Sequence, residues 1–243
     1  MKFPVLFLTL FITLFFSNCT NSSSGKNNSS NQSITQLITE KRQISGFNSV
    51  SFNGMGVVTI KKGKSDFITV KADASIINDI ETVIQGDTLQ IGFKDIINMI
   101  GESVEIEITM ENIDELRLMG AGKVAMADQF NSEYLRIIMT GTGIMDINTK
   151  SKTIDAEIRG AGNIYLEGTT DVLKIMHTGL GQVDAFDLKA QAVFCSLLGA
   201  GECKVYAVKT LNIQLTGLGN VLYKGKPDVV QQITGLGAVR NVD

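Results

Sequence analysis

A Gly-x-Gly triplet occurs eight times in the chain, and from the second triplet onward the starts lie 18 to 21 residues apart. Glycines scattered at random would rarely be spaced so evenly, even in a chain that has 24 of them. A fixed period of about 20 residues indicates a repeat protein whose units share one supersecondary structure. The repeat glycines are Gly54 and Gly56, Gly120 and Gly122, Gly141 and Gly143, Gly160 and Gly162, Gly179 and Gly181, Gly199 and Gly201, Gly217 and Gly219, and Gly235 and Gly237.

Apolar residues keep fixed positions around the triplets. The position two before the first glycine is held by Leu118, Met139, Ile158, His177, Leu197, Leu215 and Ile233. The position four before it is held by Leu116, Ile137, Ala156, Ile175, Cys195, Ile213 and Gln231, and the position four after it by Val124, Met145, Ile164, Val183, Cys203, Val221 and Val239. Residues between these columns are mixed or polar, and such alternation is typical of β-strands with one side toward a core.

The length of the repeat decides the architecture. A unit with two short strands cannot cover its own apolar side, so neighbouring units must stack and share one core. Helical repeats are excluded because they need longer periods and a three-to-four apolar spacing that the chain lacks. The sequence therefore predicts an all-β fold, a single-stranded right-handed parallel β-helix with about 20 residues per repeat and a less regular N-terminal part.

The repeat glycines share the period-two phase of the inward columns, so a straight strand would point them into the core. Either the opposite wall comes too close for a Cβ atom, or the backbone turns a corner with positive φ. Both explanations make the glycines structural. The functional alternative is a nest of backbone N–H groups that binds an anion.

Composition limits the possible functions. Hydrophobic residues make up 44% and charged residues 19% of the 243 residues, which is typical of a globular protein with one main domain. A net charge of -3 without a dense run of Lys or Arg argues against a nucleic-acid partner. His177 is the only histidine, so a histidine-based metal site or catalytic triad has no second candidate. We expect a buried, neutral His177, no cofactor and no metal site.

The N-terminus predicts export and lipid attachment. Lys2 precedes an apolar run over residues 3–16, which is short for a membrane span and typical of a secretory signal. Ser17 and Asn18 then lead to Cys19, an arrangement that resembles the lipobox of bacterial lipoproteins and implies lipid on the Cys19 thiol. We expect a signal peptide over residues 1–18, a flexible Ser/Asn-rich tether over 19–39 and the β-helix domain over 40–243. The alternative is a plain secretory signal with an incidental cysteine.

From Arg42 onward the chain resembles the bacterial family called putative auto-transporter adhesin, head GIN domain. The resemblance lies in Arg42 followed by Gly46 and Phe47, in the alternating strand over residues 56–60, in the hairpin over 86–91, and in residues 113–116 leading into Gly120. It implies a right-handed parallel β-helix on a cell-envelope protein. The family offers no catalytic residues to carry over.

Cysteines and acidic residues are the remaining site candidates. Cys195 and Cys203 lie in inward columns, either as small buried thiols or, in an oxidising envelope, as one disulfide. Asp146 and Asp184 share an outward column, but Tyr165 lies between them. Polysaccharide-cleaving β-helices need clustered acidic residues with a basic one, and the sequence shows no such cluster.

The sequence thus favours a non-enzymatic, lipid-anchored cell-envelope protein, periplasmic or on the cell surface, that acts as an adhesin-like or structural interaction module. Its partners would be the membrane, through the N-terminal lipid, an unknown protein or glycan, and a further copy of the chain. The alternative is a carbohydrate-active protein, polysaccharide-binding or lyase-like, on the same fold. No catalytic residue is predicted.

Overall fold

The computed structural model describes residues 36–65, 67–94 and 103–243. In these residues the chain forms seventeen β-strands and one 3-10 turn, Ile77–Asp79, with no α-helix. The N-terminal strands are β1 (Leu37–Gln43), β2 (Ser49–Gly54), β3 (Val57–Lys62), β4 (Phe67–Asp73), β5 (Ile80–Gln85), β6 (Thr88–Phe93) and β7 (Val104–Met110). The repeat strands are β8 (Glu115–Gly120), β9 (Lys123–Met126), β10 (Phe130–Gly141), β11 (Ile144–Gly160), β12 (Asn163–Gly179), β13 (Gln182–Gly199), β14 (Glu202–Gly217), β15 (Asn220–Lys224), β16 (Asp228–Gly235) and β17 (Ala238–Asn241).

The repeat strands stack in parallel and in register, which confirms the predicted β-solenoid. Gly141 pairs with Gly160, Gly160 with Gly179, and Gly179 with Gly199, so each coil places its triplet directly above the previous one. A coil is here one turn of the solenoid, about 19 residues long between Gly141 and Gly179. Because parallel strands lie about 4.8 Å apart, each column of the sequence becomes a ladder of side chains along the solenoid.

The inward columns form the core up to Leu215, as predicted, whereas Gln231 and Ile233 of the last coil are exposed. Leu118, Met139, Ile158, His177, Leu197 and Leu215 are each at most 1% exposed. Burying an aliphatic side chain of this size contributes roughly 1.5–3 kcal/mol relative to leaving it in water. Each coil adds several such side chains, so the stability of the solenoid comes from contacts between neighbouring coils.

The irregular N-terminal third covers one end of the solenoid. The first triplet is in register with the second, because Gly54 pairs with Gly120, although 66 residues separate them in the sequence. Residues in between supply a further layer, in which β6 pairs in parallel with β2 and β7 with β3. Three antiparallel strands then complete the cap: β5 on β6, β4 on β7 and β1 on β4.

Arg42 fastens the first strand to this cap. Its guanidinium donates hydrogen bonds to the carbonyl oxygens of Ile80 at 2.5 Å and Ile77 at 2.9 Å, and pairs with Glu40 at 3.0 Å. The side chain is 15% exposed, so these bonds are sheltered from water. The charge-assisted bonds hold β1 against the turn that leads into β5.

The two glycines of each regular triplet have different roles. The first has positive φ, from +115° at Gly120 to +138° at Gly179, and lies at a corner of the coil. The second is buried in every regular coil except the last, and the space for its Cβ is taken by the coil beneath. For example, a Cβ on Gly219 would meet the side chain of Leu197 at 2.6 Å and the carbonyl oxygen of Gly201 at 2.7 Å. The predicted positive φ therefore applies to the first glycine. Both glycines lack room for a Cβ atom, but the atoms in the way belong to the coil beneath and not to an opposite wall.

Compact structure extends over Leu37–Asp243. Its first strand begins at Leu37, within the segment predicted as tether. Residues 1–35, with the predicted signal peptide and Cys19, lie outside the described residues. No helix among the described residues is long and apolar enough to cross a membrane.

Candidate interaction surface

The strand that leads into each Gly-x-Gly corner presents its outward side chains on one continuous sheet face. The registers of β8, β10, β11, β12, β13, β14 and β16 align three outward columns along this face. One column runs from Glu115 through Arg136, Asp155, Lys174, Phe194 and Asn212 to Val230. The other two lie two and four residues further along each strand.

The first three coils of this face are charged. Their nine outward positions hold six charged side chains, namely Glu115, Arg117, Arg136, Asp155, Glu157 and Arg159. Arg117 contacts Glu115 at 2.8 Å, Arg136 lies 3.9 Å from both Glu115 and Glu157, and Arg159 also pairs with Glu157. Five of the six charges are therefore paired with one another, within a strand or between neighbouring strands, and Asp155 accepts a hydrogen bond from Tyr134.

The next four coils of the same face carry one charged residue, Lys174, at its border with the charged part. The remaining eleven positions, here named the uncharged face, are Met176, Thr178, Phe194, Ser196, Leu198, Asn212, Gln214, Thr216, Val230, Gln232 and Thr234. Four of them are large apolar residues in contact with solvent: Met176 (52% exposed), Phe194 (46%), Leu198 (51%) and Val230 (67%).

Exposed leucines extend the uncharged face around the corner. The middle residue of the triplet is Leu180, Leu218 or Leu236 in three of the last four coils, and these side chains are 71%, 62% and 87% exposed. From the spacing between strands and the rise per residue along a strand, the combined surface measures roughly 14 Å along the solenoid and roughly 20 Å across it. Contiguous exposed apolar surface of this kind is typical of binding sites.

The uncharged face was not predicted, because threonines such as Thr178, Thr216 and Thr234 in its outward columns are typical of any β-sheet surface. The outward columns carry the signal, since charged residues are frequent in them up to Lys174 and are absent from them over the next three coils. The face was visible in the sequence once the register was known.

The predicted acidic column lies on a neighbouring face, with Asp146, Tyr165 and Asp184 in successive coils. Lys123 pairs with Asp146 at 2.6 Å, and Lys204 pairs with Asp184 at 3.4 Å. Each carboxylate therefore has its own lysine. Among the residues with described coordinates, no group of three or more His, Cys, Asp or Glu side chains is placed to hold a metal ion.

His177 lies fully buried in its inward column. Its Nδ1 is 3.8 Å from Sγ of Cys203, and burial lowers the pKa of the imidazole. The ring fills the space above Gly201, since a Cβ there would lie 2.8 Å from Nδ1 of His177. His177 is thus a core side chain with no access to a ligand.

Cys195 and Cys203 are both buried free thiols in the structure. A hydrogen bond with Cys195, together with burial, raises the pKa of the Cys203 thiol well above its ordinary value. Because the thiolate is the reactive form, this environment makes Cys203 a poor nucleophile.

Comparison with known proteins supports the same fold. Residues 46–227 match the model of the family described as "Putative auto-transporter adhesin, head GIN domain". No curated protein matches the chain. Among solved structures, a putative adhesin from Bacteroides fragilis NCTC 9343 is 22% identical with a TM-score of 0.78, and the match covers 85% of this chain and 97% of that one.

Two further solved structures are similar. A putative adhesin from Parabacteroides merdae ATCC 43184 is 21% identical with a TM-score of 0.69, covering 86% of this chain and 97% of that one. A putative lipid binding protein from Parabacteroides distasonis ATCC 8503 is also 21% identical, with a TM-score of 0.67 and coverage of 85% and 97%. At these identities the likeness establishes a shared fold.

Proposed function

The chain belongs to the family of the putative auto-transporter adhesin, head GIN domain, and on that premise we propose that it is a non-enzymatic, lipid-anchored cell-envelope protein that works as an adhesin-like interaction module. Its binding surface is the uncharged face. The ligand is a protein or glycan surface that can lie flat against a β-sheet.

This proposal rests on one observation. The same sheet face has a part whose charges are paired and a part without charges. Five of the six charged residues on the first three coils are paired with one another, whereas Met176, Phe194 and Leu198 expose apolar surface on the next two. Exposed side chains at neighbouring β-sheet positions are normally polar, because an apolar patch invites association. A patch that is kept beside an ordinary charged surface is best explained by a partner that covers it.

The chemistry of the uncharged face also suits recognition. Hydroxyl and amide groups of Thr178, Ser196 and Gln214 lie between the apolar side chains and can both donate and accept hydrogen bonds. Burial of a Met, a Phe and a Leu side chain would contribute roughly 1.5–3 kcal/mol each before the costs of association. One such face would therefore bind weakly, and many copies on one cell would add avidity.

Anchoring through Cys19 fits this role. A flexible tether of about 20 residues has a root-mean-square span of roughly 25 Å, which lets the domain turn its face toward a partner. Two or three acyl chains would hold the protein at a membrane firmly, since each buried methylene contributes about 0.8 kcal/mol.

Several observations favour binding over catalysis. Asp146 and Asp184 are each paired with a lysine, and His177 and Cys203 are buried in the core. A general acid or base must reach a substrate, and these groups are either neutralised or enclosed. The family description likewise refers to adhesion.

Surface retention tests the proposal. Purified protein is applied to immobilised mucin, fibronectin and collagen and to a glycan array, and we expect saturable retention on at least one of them without turnover. The double variant Met176→Gln/Phe194→Gln should lower that retention at least tenfold. Tyr165→Gln, which removes a 40% exposed aromatic side chain on another face, is the matched control. Equal retention of the double variant, retention on none of the probes, or glycan cleavage would contradict the proposal.

A further inference from the structure

Strand β16, Asp228–Gly235, has an edge without a registered partner in the structure. It pairs in parallel with β14 along one edge, and among the described residues no strand pairs with its other edge. All eight of its residues are exposed. Its inward side chains Val229, Gln231 and Ile233 lie over Leu211, Ile213 and Leu215, and no described coil covers them from above. The apolar core therefore reaches solvent at this end.

This edge lacks the features that usually prevent sheet edges from pairing. Natural edge strands carry lysines, other charges, prolines or bulges that block association. Within β16 only Asp228 is charged, and the segment Val229 to Thr234 is apolar or neutral. By contrast, the edge strand β1 at the other end of the solenoid carries Glu40, Lys41 and Arg42. The two ends of the solenoid thus differ in their tendency to pair.

We propose that the β16 edge pairs with the β16 edge of a second copy of this chain, antiparallel and centred on Gln231. Residues directly opposite in an antiparallel pair point to the same side of the sheet. In a pair of identical strands related by a two-fold axis, one residue must therefore lie directly opposite its own copy, and the pair is centred on that residue. Centring on Gln231 sets Val229 opposite Ile233 of the second copy, and Asp228 opposite Thr234 of the second copy.

This register is self-complementary. The apolar Val229 and Ile233 meet each other on the inner side, and no two like charges face across the pair. The two Gln231 side chains meet on the two-fold axis, where each amide can donate to and accept from the other. Centring on Gln232 instead would place Gln231 opposite Ile233 and leave a buried amide without a partner, which is costly. Gln231 therefore selects the register, as a buried Asn does in coiled coils.

A second copy fits better than an open chain of copies. Head-to-tail stacking would need the opposite end of the solenoid, and that end is closed by the antiparallel strands β1, β4 and β5. End-to-end pairing through β16 is isologous and closes at two copies. Since β16 belongs to the uncharged face, the dimer would join two uncharged faces into one surface, with the charged parts at its two outer ends.

Cross-linking and sedimentation of the full chain test this inference. Under mild oxidation, Gln231→Cys should form a disulfide-linked dimer, because the two cysteines would meet on the two-fold axis. Ile233→Cys, which would face Val229, and the parent chain should not. A linked dimer at position 233 but not at 231 would overturn the proposed register.

In sedimentation velocity the parent chain should be dimeric. Gln231→Lys should remain monomeric at ten times the concentration at which the parent is half dimeric. Asn131→Lys, which adds the same charge at an exposed position of β10, should behave like the parent. A parent chain that is monomeric throughout, or dimers unaffected by Gln231→Lys, would overturn the proposal. If Gln231→Lys fails to fold by circular dichroism, the cross-link at position 231 decides. No ligand is present in either experiment, so the outcome is independent of the proposed function.

Discussion

A Cβ atom on Gly120 would lie 2.6 Å from the carbonyl oxygen of Gly54. That carbonyl accepts a hydrogen bond of 3.2 Å from the N–H of Ala121, the middle residue of the next triplet. The same contact recurs in the following coils, where Thr142, Ala161 and Leu180 donate to Gly120, Gly141 and Gly160. Glycine is needed at the corner because the backbones of neighbouring coils approach too closely for any side chain.

Gly199→Ala should therefore destabilise the fold by about 2–4 kcal/mol, since φ at Gly199 is +129° and its Cβ would lie 2.6 Å from the carbonyl oxygen of Gly179. Urea denaturation measures the change. Ala200→Leu is the matched control, because the residue between the glycines is exposed and is leucine in three other coils. An alanine variant as stable as the parent would contradict this account of the corner.

Stability should fall as the pH is lowered through the range of His177. Burial lowers the pKa of the imidazole in the folded state, so below about pH 6.5 the unfolded chain binds more protons than the folded chain. The contribution of His177 to the free energy of unfolding is complete above pH 6.5. As the pH is lowered further, this free energy decreases by up to about 1.4 kcal/mol per pH unit until the pKa of the folded state is reached. Denaturation between pH 7.5 and 5 measures this slope. The slope should be absent in His177→Leu, which matches Leu197 and Leu215 of the same column.

Cys195 and Cys203 should both be found as thiols in denatured, unreduced protein. In the native protein both thiols should react slowly with iodoacetamide at pH 8. Burial and the hydrogen bond with Cys195 keep the Cys203 thiol protonated. Cys203→Val should fold normally, since Val183 and Val221 hold the equivalent positions. Counting no free thiol at these two positions would show the disulfide that the sequence left open.

Arg42→Ala should loosen β1 without unfolding the solenoid. The variant loses charge-assisted bonds to the carbonyl oxygens of Ile77 and Ile80, each contributing about 1.5–3 kcal/mol. Hydrogen exchange should become faster in Leu37–Gln43 and stay unchanged in β11 to β14. Lys71→Ala, which removes an exposed pair with Glu105, should leave exchange in β1 as it is. Unchanged exchange in the Arg42 variant would show that the bonds do not hold the strand.

Cys19→Ala should abolish labelling of the protein by a radioactive fatty acid. The expectation rests on the lipobox-like sequence before Cys19 and on the acyl chains that a lipoprotein carries there. Label that persists in the variant would show that the lipid, if present, lies elsewhere. Replacement of Cys203 is the control, since that thiol is buried and should not affect labelling.

The repeat made most of the solenoid predictable. A column such as Leu118, Met139 and Ile158 can be aligned from the sequence because equivalent residues of a parallel stack recur at a nearly constant interval. The order of layers at the N-terminal end could not be predicted. There β6 pairs with β2, and the sequence between these two strands contains no repeat. Only tertiary contacts decide this pairing.

The first triplet shows a second limit. Gly54 and Gly56 look like the other pairs, yet here the second glycine has positive φ (+120°) and the first is the buried one. The difference arises because Gly54 lies under the ring of Phe93 and Gly56 under Val104, both from the inserted layer. The division of the outward face likewise depended on the register, since the charges of Arg136 and Glu157 could be paired only once the strands were aligned.

The position of β2 between β6 and β8 determines how this protein can fold. Its two neighbours in space come from residues 88–93 and 115–120, both later in the chain. An assembly that adds coils in the order of synthesis therefore does not suit β2 and β3, because their neighbours β6 to β9 all come later in the chain. The regular coils from β10 onward, whose partners are adjacent in sequence, can form first and serve as a template. During synthesis, β2 would thus lack its second neighbour, β8, until residue 120 had been added.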